Sequence, residues 1–427
     1  MKKSFYIIGL GYVGFSMALA LADKRHTIYG YDADASKIEK LKNSLLPFYE
    51  DGCELLFNKN KSKLNFTAIL DQQNTNVDYF MICVNTPALK NGRCDISRII
   101  STIDEIIKVH KDATIIIKST AEIGTSRLMQ KYINDNHGEN QVIFSPEFFS
   151  QGQALKGALQ PDRVVLGGTN KKELELLSEI FSEFTKNILI TDWESAELIK
   201  YASNSFLATK ISAINEVSNL CEKIGANIKE VSLGIGMDSR IGKEFLNAGI
   251  GFGGSCFEKD LLALITFANM HKLDMKIFKQ TLEINYVQYK YLLSNIKRIL
   301  GSVKNKKLAV LGLSFKENTD DIRCSISIKV VHDLIKMKAK INLFDPLANN
   351  NFLTEYNTQL TNCQFFYSID DCIRDCDAAV ILSAWDVIKN YDHDNFVKFM
   401  KNPVIFDGRN CIAKSDKICY FGMGGHQ

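Results

Sequence analysis

Apolar and polar residues fall in alternating blocks along this chain. Ser4–Gly9 reads as an apolar strand, Tyr12–Ala22 has helical spacing, Thr27–Asp32 is a second strand and Ala35–Asn43 a second helix. Further β-type runs occur at Tyr79–Val84, Thr114–Lys118, Val142–Ser145 and Val164–Leu166, with helical patterns such as Ile96–Val109 between most of them. Short apolar runs separated by helices predict a parallel, doubly wound sheet. The middle of the chain differs. Trp193–Ile224 is helical in pattern without glycine or proline, a second helical stretch covers Lys259–Leu300, and no strand is predicted between them. The strand pattern returns at Lys307–Gly312, Ile341–Asp345, Ala378–Leu382 and Val404–Asp407, with a helix predicted over Ser325–Lys338. The expected fold is therefore α/β: a doubly wound domain, an all-helical connector and a second, smaller α/β domain. The expected divisions are an N-terminal domain over residues 1–193, a central helical region over 194–300 and a smaller C-terminal domain over 301–427.

At 427 residues the chain is long enough for two or three domains. Hydrophobic residues at 46% and charged residues at 24% are the balance of a soluble globular protein. A net charge of +3 is too near neutral to argue for nucleic acid or an acidic membrane surface as partner. No apolar stretch reaches the roughly 18 residues of a membrane span. The first 22 residues, MKKSFYIIGLGYVGFSMALALA, imitate a secretory leader, but three glycines interrupt the run and a second strand follows. The eleven cysteines are scattered. Cys372 and Cys376, the closest pair, have neither a matching pair nor nearby histidines, so no metal site is expected. Reduced thiols in a cytoplasmic protein are the expectation.

Gly9, Gly11 and Gly14 form G-x-G-x-x-G at the end of a predicted strand and the start of a helix. Such spacing serves a tight turn, close approach of backbone to a pyrophosphate, and close helix–strand packing. The helix N-terminus then faces the phosphates. Asp32 closes the next strand about 20 residues on, where a carboxylate bonds the ribose hydroxyls of NAD and repels the 2′-phosphate of NADP. Its alternative role is to cap the turn that follows.

The string GIGFGGSCFEKD, Gly249–Asp260, brings glycine-rich backbone to a cysteine followed by Lys259 and Asp260. A thiolate is a competent nucleophile and nearby positive charge favours it. On the residues alone, a cysteine after glycines is more often structural. Lys200 and Asn204 stand four apart in a helical stretch and share a face. The ordinary alternative is an exposed lysine beside a cap-like asparagine.

Motifs along the whole chain resemble those of the UDP-glucose/GDP-mannose 6-dehydrogenase family. They are GLGYVG (9–14), PFYEDG (47–52), CVNTP (83–87), KSTAEIGT (118–125), SPEFFSQGQA (145–154), PDRVV (161–165), IKYASNSF (199–206), SRIG (239–242), GFGGSCFEKD (251–260), LSFKENTDDIR (313–323) and FDGRN (406–410). The resemblance implies two Rossmann-like doubly wound domains joined by a long central helix, and a four-electron oxidation of a primary alcohol to a carboxylate, with NAD as cofactor in two successive steps and a homodimer as the assembly. It implies UDP-glucose as substrate and UDP-glucuronate as product, with GDP-mannose or another nucleotide sugar as the alternative.

The residue roles it implies are as follows. Cys256 holds the intermediate as a thiohemiacetal and then a thioester. Lys200 and Asn204 stabilise the oxyanion. Asp260 and Thr120 assist proton transfer with a water, and Glu147 serves as base and in thioester hydrolysis. On the cofactor side stand Gly9, Gly11, Tyr12, Val13, Gly14, Asp32, Lys37, Thr86, Thr120, Glu147, Lys259 and Arg323. On the substrate side stand Glu147, Phe148, Phe149, Ser150, Lys200, Asn204, Phe245, Leu246, Phe252, Gly253, Phe315, Lys316 and Arg409, with Arg240 supplied by the neighbouring subunit. Three departures from the family pattern are visible. Ser150 and Gln151 replace an arginine and a glutamate. Asn247-Ala248-Gly249 replaces a triplet such as Lys-Ala-Ser. Glu258 stands where proline or glutamine is common, adding negative charge beside Cys256.

Overall fold

The computed structural model describes residues 2–48, 50–69, 77–150, 152–360 and 362–425. The positions of Tyr49 in PFYEDG and Gln151 in SPEFFSQGQA lie outside the described residues. The chain forms two compact units, one of residues 1–203 with 262–273, the other of residues 204–261 with 274–427.

The first unit holds strands β1 (Ser4–Ile8), β2 (Thr27–Tyr31), β3 (Leu64–Thr67), β4 (Tyr79–Ile82), β5 (Thr114–Ile117), β6 (Val142–Phe144), β7 (Val164–Gly167) and β8 (Ile188–Thr191). Their order in the sheet is β3-β2-β1-β4-β5-β6-β7-β8. β4 and β5 are buried along their whole length, as YFMI and TIII must be in a sheet covered on both faces. One expectation is corrected here: the sheet is not wholly parallel. β6 and β7 pair antiparallel at Phe144↔Gly167, and β8 runs parallel to β7. The short helix Ala154–Leu159 leads into β7 without the crossover that a parallel neighbour needs.

The second unit holds β9 (Lys307–Leu311), β10 (Lys340–Phe344), β11 (Cys363–Phe366), β12 (Ala378–Ile381), β13 (Val404–Asp407) and β14 (Cys419–Gly422). They form an all-parallel sheet in the order β11-β10-β9-β12-β13-β14. The helical stretch expected over Lys259–Leu300 is two helices, Phe257–Met270 and Lys276–Leu300, separated at His271–Met275. Lys272 takes a left-handed backbone there, with φ 60°. Both units are α/β, and with the helical segments that come between β8 and β9 in the chain they give the expected fold class.

The Trp193–Ile224 helix is continuous over 32 residues. Near its start, fully buried Glu197 accepts from the Gly124 N–H (2.6 Å), the Ser126 N–H (2.8 Å) and the Ser126 hydroxyl (2.7 Å). Gly124 and Ser126 flank the first residue of the Thr125–Asp135 helix, so a carboxylate from one helix caps another. Burial pushes the Glu197 carboxyl up to about 7 against these hydrogen bonds. A carboxyl raised in the folded state contributes stability that is complete below its unfolded value, near 4.5, and is lost as pH rises to about 7. Glu197→Gln should therefore flatten the pH dependence of unfolding over that window, by a difference on the order of 3 kcal/mol. Urea unfolding of both proteins at a series of pH values measures it, and parallel curves would contradict it.

Candidate active site

The turn after β1 is shaped by glycine. Gly9 has φ 91°, and a Cβ there would lie 2.7 Å from the Cys83 carbonyl oxygen. At Gly14 a Cβ would lie 1.9 Å from the Gly9 carbonyl oxygen. These two positions let the Tyr12–Asp23 helix and the loop after β4 close on the strand. At Gly11 a Cβ would meet nothing within 4 Å, so open space lies over this backbone. Asp32, just beyond β2, accepts from the Leu10 N–H (2.9 Å), the Asp34 N–H (3.0 Å) and Lys37 Nζ (2.6 Å). The turn-capping bond is thus present, together with a brace to the glycine turn. Burial pushes the Asp32 carboxyl up, but Lys37 and the two N–H groups outweigh it and hold it below the usual range. A helix N-terminus with open backbone and an ionised carboxylate on the adjacent strand end fits a dinucleotide. Tyr12 packs on Phe48 with ring centroids 4.3 Å apart, and Val13 packs on the core. Thr86 donates to the Thr120 carbonyl oxygen at 2.7 Å, so these two residues of different loops come together.

The loop after β6 carries Glu147. Lys200 Nζ donates to the Glu147 carbonyl oxygen (2.7 Å) and to its Oε1 (2.9 Å), and the Phe149 N–H donates to Oε2 (2.6 Å). Their side chains are 4% and 14% exposed. Burial pushes the Glu147 carboxyl up, but the charge and hydrogen bond of Lys200, the Phe149 N–H and the charge of Lys118 outweigh it and leave it below the usual range. The Phe148 ring lies under Lys200 Nζ at 5.6 Å and under the Arg163 guanidinium at 3.8 Å. The alternative of an exposed Lys200 does not hold: its ammonium is buried, and burial without a carboxylate partner would be costly. Ser150 is exposed.

In the second unit, Asn204 Nδ2 donates to Asp260 Oδ2 at 2.6 Å, and Lys259 Nζ lies 3.1 Å from Asp260 Oδ1. Cys256 is exposed and immediately precedes the Phe257–Met270 helix, its carbonyl accepting from the Asp260 N–H at 2.9 Å. A negative charge on its sulfur would face the helix N-terminus. Glu258 accepts from the Tyr286 hydroxyl at 2.8 Å, a bond that anchors this departure from the family pattern.

The loop before Cys256 is held by polar side chains that sequence reasoning missed. Asn215 Oδ1 accepts from the Gly249 N–H (2.8 Å), Asn285 pairs with both backbone groups of Phe252 (2.7 and 3.0 Å), and Gln288 donates to the Gly249 carbonyl (3.0 Å). All three are buried on helices, and a buried amide on a helix face was their signal. Gly253 and Gly254 are required because a Cβ would lie 2.6 Å from the Cys324 carbonyl and 2.7 Å from the Phe315 ring. Gly253 and Gly254 thus lie directly against Phe315. Arg409 donates to the carbonyls of Leu382 and Gly251, both at 2.8 Å. Buried Asp407 fixes its turn by accepting from the N–H groups of Arg409, Cys411 and Ile412. Arg323 forks onto Asp321 and Arg240 onto Asp238, each with its outer nitrogen at 2.6 Å.

Beside Arg409 lies a cavity of about 730 Å³, lined among others by Lys229, Lys243, Leu246, Asn247, Gly249, Glu317 and Lys389. Lys229, Lys243 and Lys389 were not expected. They surround Asn247, the position that departs from a lysine-type triplet, and give the cavity a cationic lining. Lys316 neighbours it in sequence through Glu317, and Phe245 sits at φ 63° just before Leu246.

Three segments match family models of the UDP-glucose/GDP-mannose dehydrogenase family: its NAD binding domain over residues 3–185, its central domain over 194–287 and its UDP binding domain over 309–414. The chain belongs to the UDP-glucose/GDP-mannose dehydrogenase family. It is an NAD-dependent dehydrogenase, and the glycine turn with Asp32 lies within the NAD binding domain. Its relatives include UDP-glucose 6-dehydrogenase YwqF of Bacillus subtilis (strain 168), 37% identical over 98% of this chain and 97% of that one. UDP-glucose 6-dehydrogenase of Rickettsia prowazekii (strain Madrid E) is 37% identical over 98% of both chains. A UDP-glucose dehydrogenase from the hyperthermophilic archaeon Pyrobaculum islandicum superimposes with a TM-score of 0.91 at 30% identity, covering 100% of this chain and 98% of that one.

The glycine turn yields a paired test. Gly11→Ala should fold with parental Tm but bind NAD at least about tenfold more weakly, since the methyl group occupies the open space. Gly14→Ala should instead lower stability by at least about 2 kcal/mol, because the clashing atom is backbone. Calorimetry of unfolding and NAD titration separate the two. Unaltered NAD affinity in Gly11→Ala would move the cofactor elsewhere.

Proposed function

We propose that this enzyme oxidises UDP-glucose to UDP-glucuronate through a covalent intermediate on Cys256. The observation that carries the reading is the exposed Cys256 at a helix N-terminus whose first turn holds Asp260, bound to Asn204, one helical turn from Lys200. Whole-length similarity to enzymes named UDP-glucose 6-dehydrogenase supports the substrate.

When bound, NAD+ accepts the hydride in each oxidation. In the first, the C6 hydroxyl gives its proton to a water held by Thr120 and Asp260, with Glu147 as the ionised base. The Cys256 thiolate then adds to the aldehyde carbon, and Lys200 and Asn204 donate to the oxygen that becomes negative. Loss of a second hydride leaves a thioester. Water, deprotonated towards Glu147, attacks the thioester carbon and expels the thiolate, giving the carboxylate. The covalent bond prevents release of the aldehyde between the two oxidations. Phe148, Phe149 and Ser150 shape the sugar side. The diphosphate takes the cationic cavity, where Lys229, Lys243 and Lys389 line the wall with Arg409, and Lys316 precedes Glu317 of that wall. Lys259 and Arg323 complete the cofactor contacts.

In a panel of UDP-glucose, GDP-mannose and UDP-N-acetyl sugars, UDP-glucose should give by far the largest rate, with two NADH per sugar nucleotide. The Asp238–Gly242 stretch and Ser255 favour it over GDP-mannose and the N-acetyl sugars. Cys256→Ala should fold and bind NAD+ yet form no carboxylate. Two NADH at the parental rate from that variant would remove the covalent mechanism.

A homodimer is the proposed assembly. Phe206, Leu220 and Ile224 expose 67%, 57% and 67% of their surface on one helix, and Met237 and Ile241 add to this apolar surface beside Arg240. Arg240 would reach the neighbouring copy's sugar nucleotide. Sedimentation at assay concentration should show a dimer, and Arg240→Ala should raise the KM for sugar nucleotide at least about tenfold without changing that for NAD+. A fully active monomer would rule this out.

A further inference from the structure

Lys118 immediately follows β5 and is 4% exposed. The proposed chemistry does not use it. Its ammonium donates to Ser145 Oγ at 3.3 Å and to the Pro146 carbonyl at 3.4 Å, the two residues that precede Glu147. It also lies 5.5 Å from the centroid of the Phe181 ring. The charged and titratable groups around it are Cys83 after β4, Glu147 after β6 and Lys200 on the long helix. Lys156, Asp162 and Arg163 share with it the wall of a cavity of about 240 Å³. Burying a second ammonium so near Lys200 is unfavourable unless a carboxylate between them gains from both. Cys83 is no such partner, because its own burial pushes that thiol up to about 12 and leaves it neutral. Glu147 is the carboxylate that feels both lysines.

We propose that Lys118 is a positioning residue for Glu147: it pins the Ser145–Pro146 turn from below and supplies a second buried positive charge to the carboxylate that Lys200 holds from above. The inference rests on the reading of Glu147 as the base. Burial pushes the Lys118 ammonium down to about 8, so it is charged at the acid limb of the activity profile, where Glu147 must be ionised.

The test compares pH profiles of kcat for the full-length parent, Lys118→Met, Lys118→Arg and Glu147→Gln, with UDP-glucose and NAD+. Removing the cation should raise the Glu147 carboxyl and move the acid limb of Lys118→Met upward by about one pH unit. The KM for NAD+ should stay at the parental value. Lys118→Arg keeps the charge, with the adjoining cavity to take the larger head, and should retain the parental limb. If Lys118→Met does not fold, Lys118→Gln carries the same comparison. A parental acid limb in the uncharged variant, with Glu147→Gln impaired, overturns this inference alone. An equal shift in Lys118→Arg overturns it too, since charge would then be irrelevant. Full turnover by Glu147→Gln removes the base and this inference together.

Discussion

A charge can be buried only where an opposite charge or several dipoles meet it, and this structure is organised around that constraint. Lys200 is the centre of it. Its ammonium takes both the carbonyl and the carboxylate of Glu147, so one side chain holds the loop after β6 and, with the Phe149 N–H and Lys118, favours the ionised acid. The Phe149 N–H closes the second oxygen, leaving a carboxylate oriented from two directions.

The same logic runs down the whole Trp193–Ile224 helix. Glu197, Lys200, Asn204, Ser212, Asn215 and Asn219 recur at intervals of three, four or eight residues and therefore share one face. Each meets a specific partner: the Gly124 and Ser126 backbone, Glu147, Asp260, the Thr281 carbonyl, the Gly249 N–H and Gln288. Its inward side thus mixes these polar groups with buried Tyr201, Ala208, Ile214 and Cys221, while Leu198, Phe206, Leu220 and Ile224 are exposed, unlike a surface helix whose apolar residues all face inward. The polar face is what positions loops carrying Thr120, Glu147 and Cys256, because loops offer N–H and C=O groups that only polar side chains can satisfy.

Glycines serve the same loops differently. At Gly14, Gly251, Gly253 and Gly254 a Cβ would collide with backbone, an amide or a ring, so the loops lie directly against their supports. In the turn after β1, Gly11 is the glycine whose Cβ would meet nothing, so packing demands Gly9 and Gly14 but not Gly11.

Local order was legible in the sequence wherever one segment carried its own reason. Strands buried on both faces, such as β4, β5, β12 and β13, announce themselves as apolar runs, and Val404–Asp407 was read at its exact limits. The glycine turn was equally legible, since its steric demands fall within six residues. The edge strands β3, β8, β11 and β14 were not: all four are short and partly exposed, β3 and β11 are interrupted by Asn65 and Gln364, and the apolar run of β8 is only three residues long. Nor was the reversal at β7, which depends on which edge a returning chain finds. Sequence motifs pointed to Lys200 and Asn204 as a pair, yet only the folded chain assigned them different partners, Glu147 53 residues away and Asp260 56 residues away. The stripe of amides and the lysines around Asn247 were likewise decided by tertiary structure. A polar residue's role depends on what its last atoms touch, and that contact is made across the chain, where no local pattern records it.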